Sequence, residues 1–344
     1  MRQIATILCA CLMISGVNFA EAKSKKELKP SQTILLYPEG QAAGKGLPET
    51  EGPLVSNGYT ADQEVRAENG NLTCTGDNAR MEIYTPKKPN GQMVIVCPGG
   101  GYLYCSPREA EPVALRYAAA GFHAFILRYS TESKAAGNAP LAEVNWAVSL
   151  LREQADEWHI DPGKIAVCGF SAGGHLALMP GLMAEQKPNA MILIYPAAYV
   201  PNIPGANFML QVLTGRREVT DADAEYFNLL NKITPDAPPA FLAATSEDMI
   251  TQFGALPIAQ KYAQVGRNFE LHIFQYGPHG YSLGDVTAAD GSSRMLDSAF
   301  AKWHDMSVDW LFRTFGQPQF VDKSTGRLES RLKGMGISIP EGAI

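Results

Sequence analysis

Apolar runs of four or five residues recur through the middle of the chain, separated by polar or amphipathic stretches. They occupy positions 81–84, 93–97, 124–127, 165–168, 191–195, 241–244 and 271–274. Runs this short, and apolar throughout but for Glu82 and His272, predict strands buried on both faces. Between them the period changes. Leu141, Val144, Ala147, Val148 and Leu151 fall at helical spacing within 141–158, and 255–265 and 301–315 also read as helices. Strands alternating with helices predict an α/β fold: a mostly parallel central sheet with helices on both faces, joined by right-handed crossovers.

The flanks break this rhythm. Residues 1–22 begin Met1-Arg2-Gln3, continue through an apolar core, and end in Ala20-Glu21-Ala22 before the charged run Lys23-Ser24-Lys25-Lys26. That order predicts a cleaved signal peptide and a protein secreted to the periplasm or beyond. The apolar core is short for a permanent membrane helix. Residues 23–75 are polar and rich in Gly, Pro and Glu, most of all over 41–58, and read as an extended lead-in. The main domain is expected over 76–316. Within it, 197–238 carries Pro201, Pro204, Pro235 and Pro238 around a weakly helical middle, and reads as a cap-like insertion between two strands. A polar tail, 317–344, follows.

Composition narrows the classes of partner. A net charge of −6, unchanged by removing Arg2 and Glu21 with the leader, leaves no basic footprint for nucleic acid. No membrane partner is expected either. Beyond the leader stand Cys74, Cys97, Cys105 and Cys168, with no CxxC pair and no Cys/His spacing suited to zinc. Cys97 and Cys168 end apolar strands and read as packing residues. An oxidising compartment permits a disulfide, whose pairing the spacing leaves open.

The chemistry concentrates at four strand ends. Gly169-Phe170-Ser171-Ala172-Gly173-Gly174 follows the run 165–168 and precedes a helix-compatible stretch. A G-x-S-x-G between strand and helix is the turn that lifts a serine hydroxyl to the sheet's edge. That hydroxyl needs a base. Of the six histidines, His123 and His272 lie in strands, His159 and His304 in helical stretches, and His175 on the helix leaving the serine. His279 alone stands in a glycine-rich loop after a strand, Gly277-Pro278-His279-Gly280, where catalytic groups gather in open α/β sheets. An orienting carboxylate is expected between serine and histidine in chain order. Asp248 in Thr245-Ser246-Glu247-Asp248 is the choice, and Glu247 the alternative. Cys97-Pro98-Gly99-Gly100-Gly101-Tyr102 follows the run 93–97, so the amides of Gly100 and Gly101, with that of Ala172, are expected to form an oxyanion hole. No phosphate-loop pattern is present.

These residues carry a resemblance. Leu35-Leu36-Tyr37-Pro38, Ile95-Val96-Cys97-Pro98-Gly99-Gly100-Gly101-Tyr102, Gly169-Phe170-Ser171-Ala172-Gly173-Gly174-His175 and Gly277-Pro278-His279-Gly280 resemble bacterial esterases of the α/β-hydrolase fold. The type is that of acetyl xylan esterases and carbohydrate esterases, over about residues 31–315. The family's acid loop reads as a double aspartate followed by valine and proline; here it is Glu247-Asp248-Met249-Ile250-Thr251, with Asp248 at the second aspartate. After the histidine the family continues Gly-Phe-Gly-Leu, where this chain has Gly280-Tyr281-Ser282-Leu283. The resemblance implies a Ser171–His279–Asp248 triad, contact of Tyr102 with substrate, and hydrolysis of small acyl esters, acetyl foremost, on an oligosaccharide or other small molecule. It implies no cofactor and no metal. Two other readings share parts of the pattern. Prolyl-oligopeptidase relatives have the same serine motif and chain order, but carry a large propeller for which 23–75 is far too short. A hydrolase fold used only for binding would not need every catalytic part.

Overall fold

The seven apolar runs become seven strands of one sheet. The computed structural model describes residues 30–36, 65–66, 72–73, 79–198, 206–289 and 292–316. The leader, most of the lead-in, Cys74, Tyr37, Pro38 and the tail lie outside the described residues. Strand β1 is Gln32–Leu35, and β2 (Val65–Arg66) and β3 (Leu72–Thr73) form a separate two-stranded pair. Then follow β4 (Arg80–Tyr84), β5 (Met93–Cys97), β6 (His123–Arg128), β7 (Ile165–Phe170), β8 (Ala190–Ile194), β9 (Ala240–Thr245) and β10 (Phe269–Phe274). The main sheet has eight strands in the order β1-β4-β6-β5-β7-β8-β9-β10. From β6 to β10 every pairing is parallel, while β1, β4 and β6 pair antiparallel.

The helices are α1 (Glu111–Ala119), α2 (Ala139–Glu153), α3 (Ala172–Met183), α4 (Ala206–Thr214), α5 (Asp221–Tyr226), α6 (Ala255–Gln264) and α7 (Trp303–Thr314). The chain steps from β5 outward to β6, then crosses back over β5 to β7 and proceeds the other way. Right-handed crossovers running in opposite directions put their helices on opposite faces. Accordingly Tyr117 on α1 hydrogen-bonds Ser307 on α7 across one face at 2.8 Å, while α2 packs on α3 on the other. Two strands flanking this reversal, β5 and β7, are buried along their whole length. Each of their larger apolar side chains contributes on the order of 1.5–3 kcal/mol by leaving water. The edge strand β10 differs. Glu270 and His272 interrupt it and none of its residues is fully buried, as suits a strand with one open side.

Where element bounds differ from the sequence pattern, local chemistry explains the shift. Helix α2 starts two residues earlier than its apolar stripe because Pro140 is favoured in a first turn. Helix α1, opened by Pro112, has too few spaced apolar positions to stand out in the sequence. Of the insertion over 197–238, the described part holds α4, α5 and a 3-10 turn at Leu229–Lys232. Thr220 and Asp223 form a reciprocal capping box at the start of α5. Among the described residues no helix is long and apolar enough to cross a membrane.

The reversal between β5 and β7 has a consequence for function. Chains leaving those two strands diverge to opposite faces, so a crevice opens at their C-terminal ends, where ligands bind in open α/β sheets. The glycine run 99–101 and Ser171 both stand there.

Candidate active site

Strand β7 ends at Phe170 and helix α3 begins at Ala172, which leaves one residue to turn the chain. Ser171 takes φ 53° and ψ −119°, a conformation that costs an L residue about 1–3 kcal/mol. The surrounding backbone holds it there. Its N–H donates to the Ile194 carbonyl at 3.1 Å, and its own carbonyl accepts from the amides of His175 and Ala197. The flanking glycines are a requirement of space. A Cβ at Gly169 would lie 2.0 Å from the Gly173 carbonyl oxygen, and one at Gly173 would lie 2.1 Å from that of Cys97. The helix therefore seats directly on the strand ends, and Ser171 is left half-buried at the edge of the sheet.

The loop after β10 brings His279 to this edge. Ser171 Oγ lies 2.7 Å from His279 Nε2, and His279 Nδ1 lies 2.8 Å from Asp248 Oδ2. Asp248 follows β9 and is buried, and its Oδ1 accepts the Ile250 amide at 3.0 Å. A carboxylate only accepts, so Nδ1 carries the ring proton and the Nε2 lone pair faces the serine hydroxyl. Burial disfavours protonation of His279, yet the hydrogen bond and charge of Asp248, reinforced by Glu109, outweigh it and raise the pKa above 6.5. The arrangement can draw a proton from Ser171 and hold it on an imidazolium.

Glu247, the alternative acid, faces elsewhere. Its Oε2 accepts the Gly277 amide at 3.0 Å and so ties down the base of the histidine loop. The amides of Gly100 and Gly101 donate to no acceptor among the described residues. Gly100 is shaped by the loop's close return, since a Cβ there would sit 2.0 Å from the Tyr104 carbonyl oxygen at φ 131°. Ala172 is the first residue of α3, where a helix leaves its amides without an internal partner.

Tyr102 corrects an expectation. It is completely buried, and its hydroxyl meets His175 Nδ1 at 2.9 Å, so its side chain offers no surface to a substrate. Position 102 turns inward at φ 62°, and the ring fills the core between Tyr129 and His175. His175 is itself buried, which pushes its pKa down to about 3; it stays neutral beneath the site.

Two residues near the site carried no signal in the sequence. Glu109 lies in a polar stretch, yet it is buried, accepting from the Gly99 amide and the Tyr195 hydroxyl. Tyr195 directly follows β8 and stands edge-on to His279, ring centroids 5.3 Å apart. Cys97, Cys105 and Cys168 are buried free thiols.

Comparison with known proteins agrees with the fold. A BD-FAE family model matches residues 81–198, a span that holds the glycine loop and Ser171 but neither Asp248 nor His279. The chain is 28% identical over 214 residues to endo-1,4-beta-xylanase B of Butyrivibrio fibrisolvens, covering 56% of this chain and 33% of that one. It is 24% identical over 221 residues to an acetylxylan esterase of Xylanibacter ruminicola, covering 62% and 46%. The chain thus spans less than half the length of either relative. The structure of MGS-M1, an α/β hydrolase enzyme from a Medee basin deep-sea metagenome library, matches with a TM-score of 0.58 at 33% identity, covering 69% of this chain and 92% of that one. With a third of the aligned residues identical across nearly the whole of that enzyme, this chain belongs to the α/β-hydrolase family.

Proposed function

We propose that the protein is a secreted serine carboxylesterase that removes small acyl groups, acetyl foremost, from an oligosaccharide or related small-molecule ester. Ser171 attacks the ester carbonyl while His279 takes its proton. The amides of Gly100, Gly101 and Ala172 hold the oxyanion, each worth about 3–4 kcal/mol in comparable sites. His279 then returns the proton to the leaving alcohol, and water, activated by the same imidazole, releases the acid from the acyl-enzyme. Asp248 fixes the tautomer and balances the imidazolium charge.

One observation carries this reading: the unbroken chain of two short hydrogen bonds from Ser171 through His279 to buried Asp248. The name of the Xylanibacter relative favours an acetylated xylan fragment as substrate, and the charge-core-AxA order of residues 1–22 favours export. The test is a panel of p-nitrophenyl esters, acetylated xylo-oligosaccharides and aminoacyl anilides. Acetate release from the oligosaccharides is expected. Turnover of anilides without esters would point to a peptidase instead, and turnover of none would leave a binding protein.

A further inference from the structure

Beneath the nucleophile lies a buried acid that the reaction scheme above does not use. Glu109 sits in the 3-10 turn Pro107–Glu109 after β5 and is 3% exposed. Burying a carboxylate is costly unless its oxygens are met by donors. Both are. Oε2 accepts the Gly99 amide at 2.8 Å and Oε1 accepts the Tyr195 hydroxyl at 2.6 Å. The Tyr195 oxygen in turn accepts the Ser282 amide at 2.7 Å, three residues past His279.

Position 99 locates the acid relative to the chemistry. A Cβ there would meet Glu109 Oε2 at 2.6 Å and Ser171 Cβ at 3.0 Å. Gly99 therefore lies between the carboxylate and the nucleophile, with no room there for a side chain. On the other side the Tyr195 ring lies against His279. The chain Gly99–Glu109–Tyr195–Ser282 consequently joins the glycine loop to the histidine loop under Ser171.

We infer that Glu109 and Tyr195 are positioning residues: a buried brace that holds the glycine loop in register with the histidine loop and sets a second negative charge under the imidazolium. The inference rests on the ester-hydrolase reading. The geometry assigns the two members different work. Glu109 supplies charge and a tether, whereas Tyr195 supplies only the tether. Other charged groups also face the histidine loop: Asp248 on Nδ1, Glu247 on the Gly277 amide, and Arg108, whose guanidinium lies 3.6 Å from where a Gly280 Cβ would stand. Each is retained in the variants below, so a change in His279 titration reports Glu109. The Glu109 charge is among the influences that raise the His279 pKa.

The experiment is the pH dependence of kcat and kcat/KM for p-nitrophenyl acetate in the full chain, wild type against Glu109→Gln and Tyr195→Phe. The limb at low pH reports deprotonation of His279. Glu109→Gln is expected to lower kcat about tenfold or more through a loosened oxyanion loop. It should also move that limb to lower pH by on the order of half a unit, because a negative charge near the imidazolium is gone. Tyr195→Phe should lower kcat comparably and leave the limb in place. A Glu109→Gln limb that coincides with wild type overturns the brace while wild-type turnover leaves the esterase reading standing. A wild type without ester turnover overturns both. Should Glu109→Gln fail to fold, Tyr195→Phe decides: wild-type kcat overturns the inference, and a tenfold loss at an unmoved limb supports it.

Discussion

Replacing Asp248 by asparagine is the sharpest test of the proposed triad, because the structure dictates how the amide must sit. Asp248 Oδ1 accepts the Ile250 amide at 3.0 Å and Oδ2 faces His279 Nδ1 at 2.8 Å. In the variant the amide oxygen must keep the Ile250 contact, since the opposite flip would set two donors against each other. The NH2 group then faces Nδ1 and donates to it. Nδ1 can accept only if the ring proton moves to Nε2, which is the atom 2.7 Å from Ser171 Oγ. The base is thereby presented to the nucleophile in the wrong tautomer. An exchange of this kind in a serine triad costs about 10⁴-fold in kcat, equivalent to about 5.5 kcal/mol of barrier. The remaining activity should show its limb at lower pH, because the partner that chiefly raised the His279 pKa has lost its charge. The assay is kcat/KM on p-nitrophenyl acetate between pH 5 and 9, on protein whose thermal unfolding matches wild type. Glu247→Gln is the control. Among the described residues its hydrogen bond is to the Gly277 amide and none is to His279, so its loss should stay under about tenfold. Asp248→Asn activity within tenfold of wild type, or a larger loss in Glu247→Gln, would refute the assignment.

Other consequences are as direct. Ser171→Ala and His279→Ala should each abolish turnover to a similar residual level, since triad members act as a unit, while circular dichroism stays native. Tyr102→Phe strips the buried partner from His175 Nδ1; it should cost about 1–2 kcal/mol in denaturant unfolding and change kcat/KM less than threefold, whereas a large KM effect would restore Tyr102 as a substrate contact. Gly173→Ala forces a methyl to within 2.1 Å of the Cys97 and 2.3 Å of the Pro98 carbonyl oxygens, so it should destabilise by about 3 kcal/mol or more and inactivate together. Burial holds His175 near pKa 3 and His304 near 4 in the folded chain. Unfolding lets both rise toward 6.5 and bind protons, so stability should be intact above that pH. It should then fall by about 1.4 kcal/mol per unit per histidine as pH drops from 6.5 toward those values. Replacing His175 by a neutral residue should flatten the slope, and an unchanged slope would contradict its buried neutral state.

How much of this was legible in the chain divides along a physical line. Strands β5 and β7 announce themselves because a strand covered on both faces must be apolar throughout, a property written in consecutive residues. The serine turn is equally local: the glycines at 169 and 173 are needed for space within five residues of one another, so the motif and its geometry coincide. The ranking of His279 over five other histidines also came from local context, a glycine-rich loop after a strand. What the sequence could not decide was direction. Tyr102 follows the glycine run, and only the positive φ at position 102 turns its ring into the core rather than toward a ligand. Asp248 and Glu247 are adjacent acids, and their separate tasks follow from which one the loop after β9 points at a histidine 31 residues away. Glu109 is the clearest case. Nothing within its own segment marks it as buried, because its donors arrive from Gly99, ten residues before it, and from Tyr195, 86 residues after it. Periodicity and turn chemistry record what a residue needs from its chain neighbours; where a side chain's partners come from distant strands, only the closed sheet determines what it does.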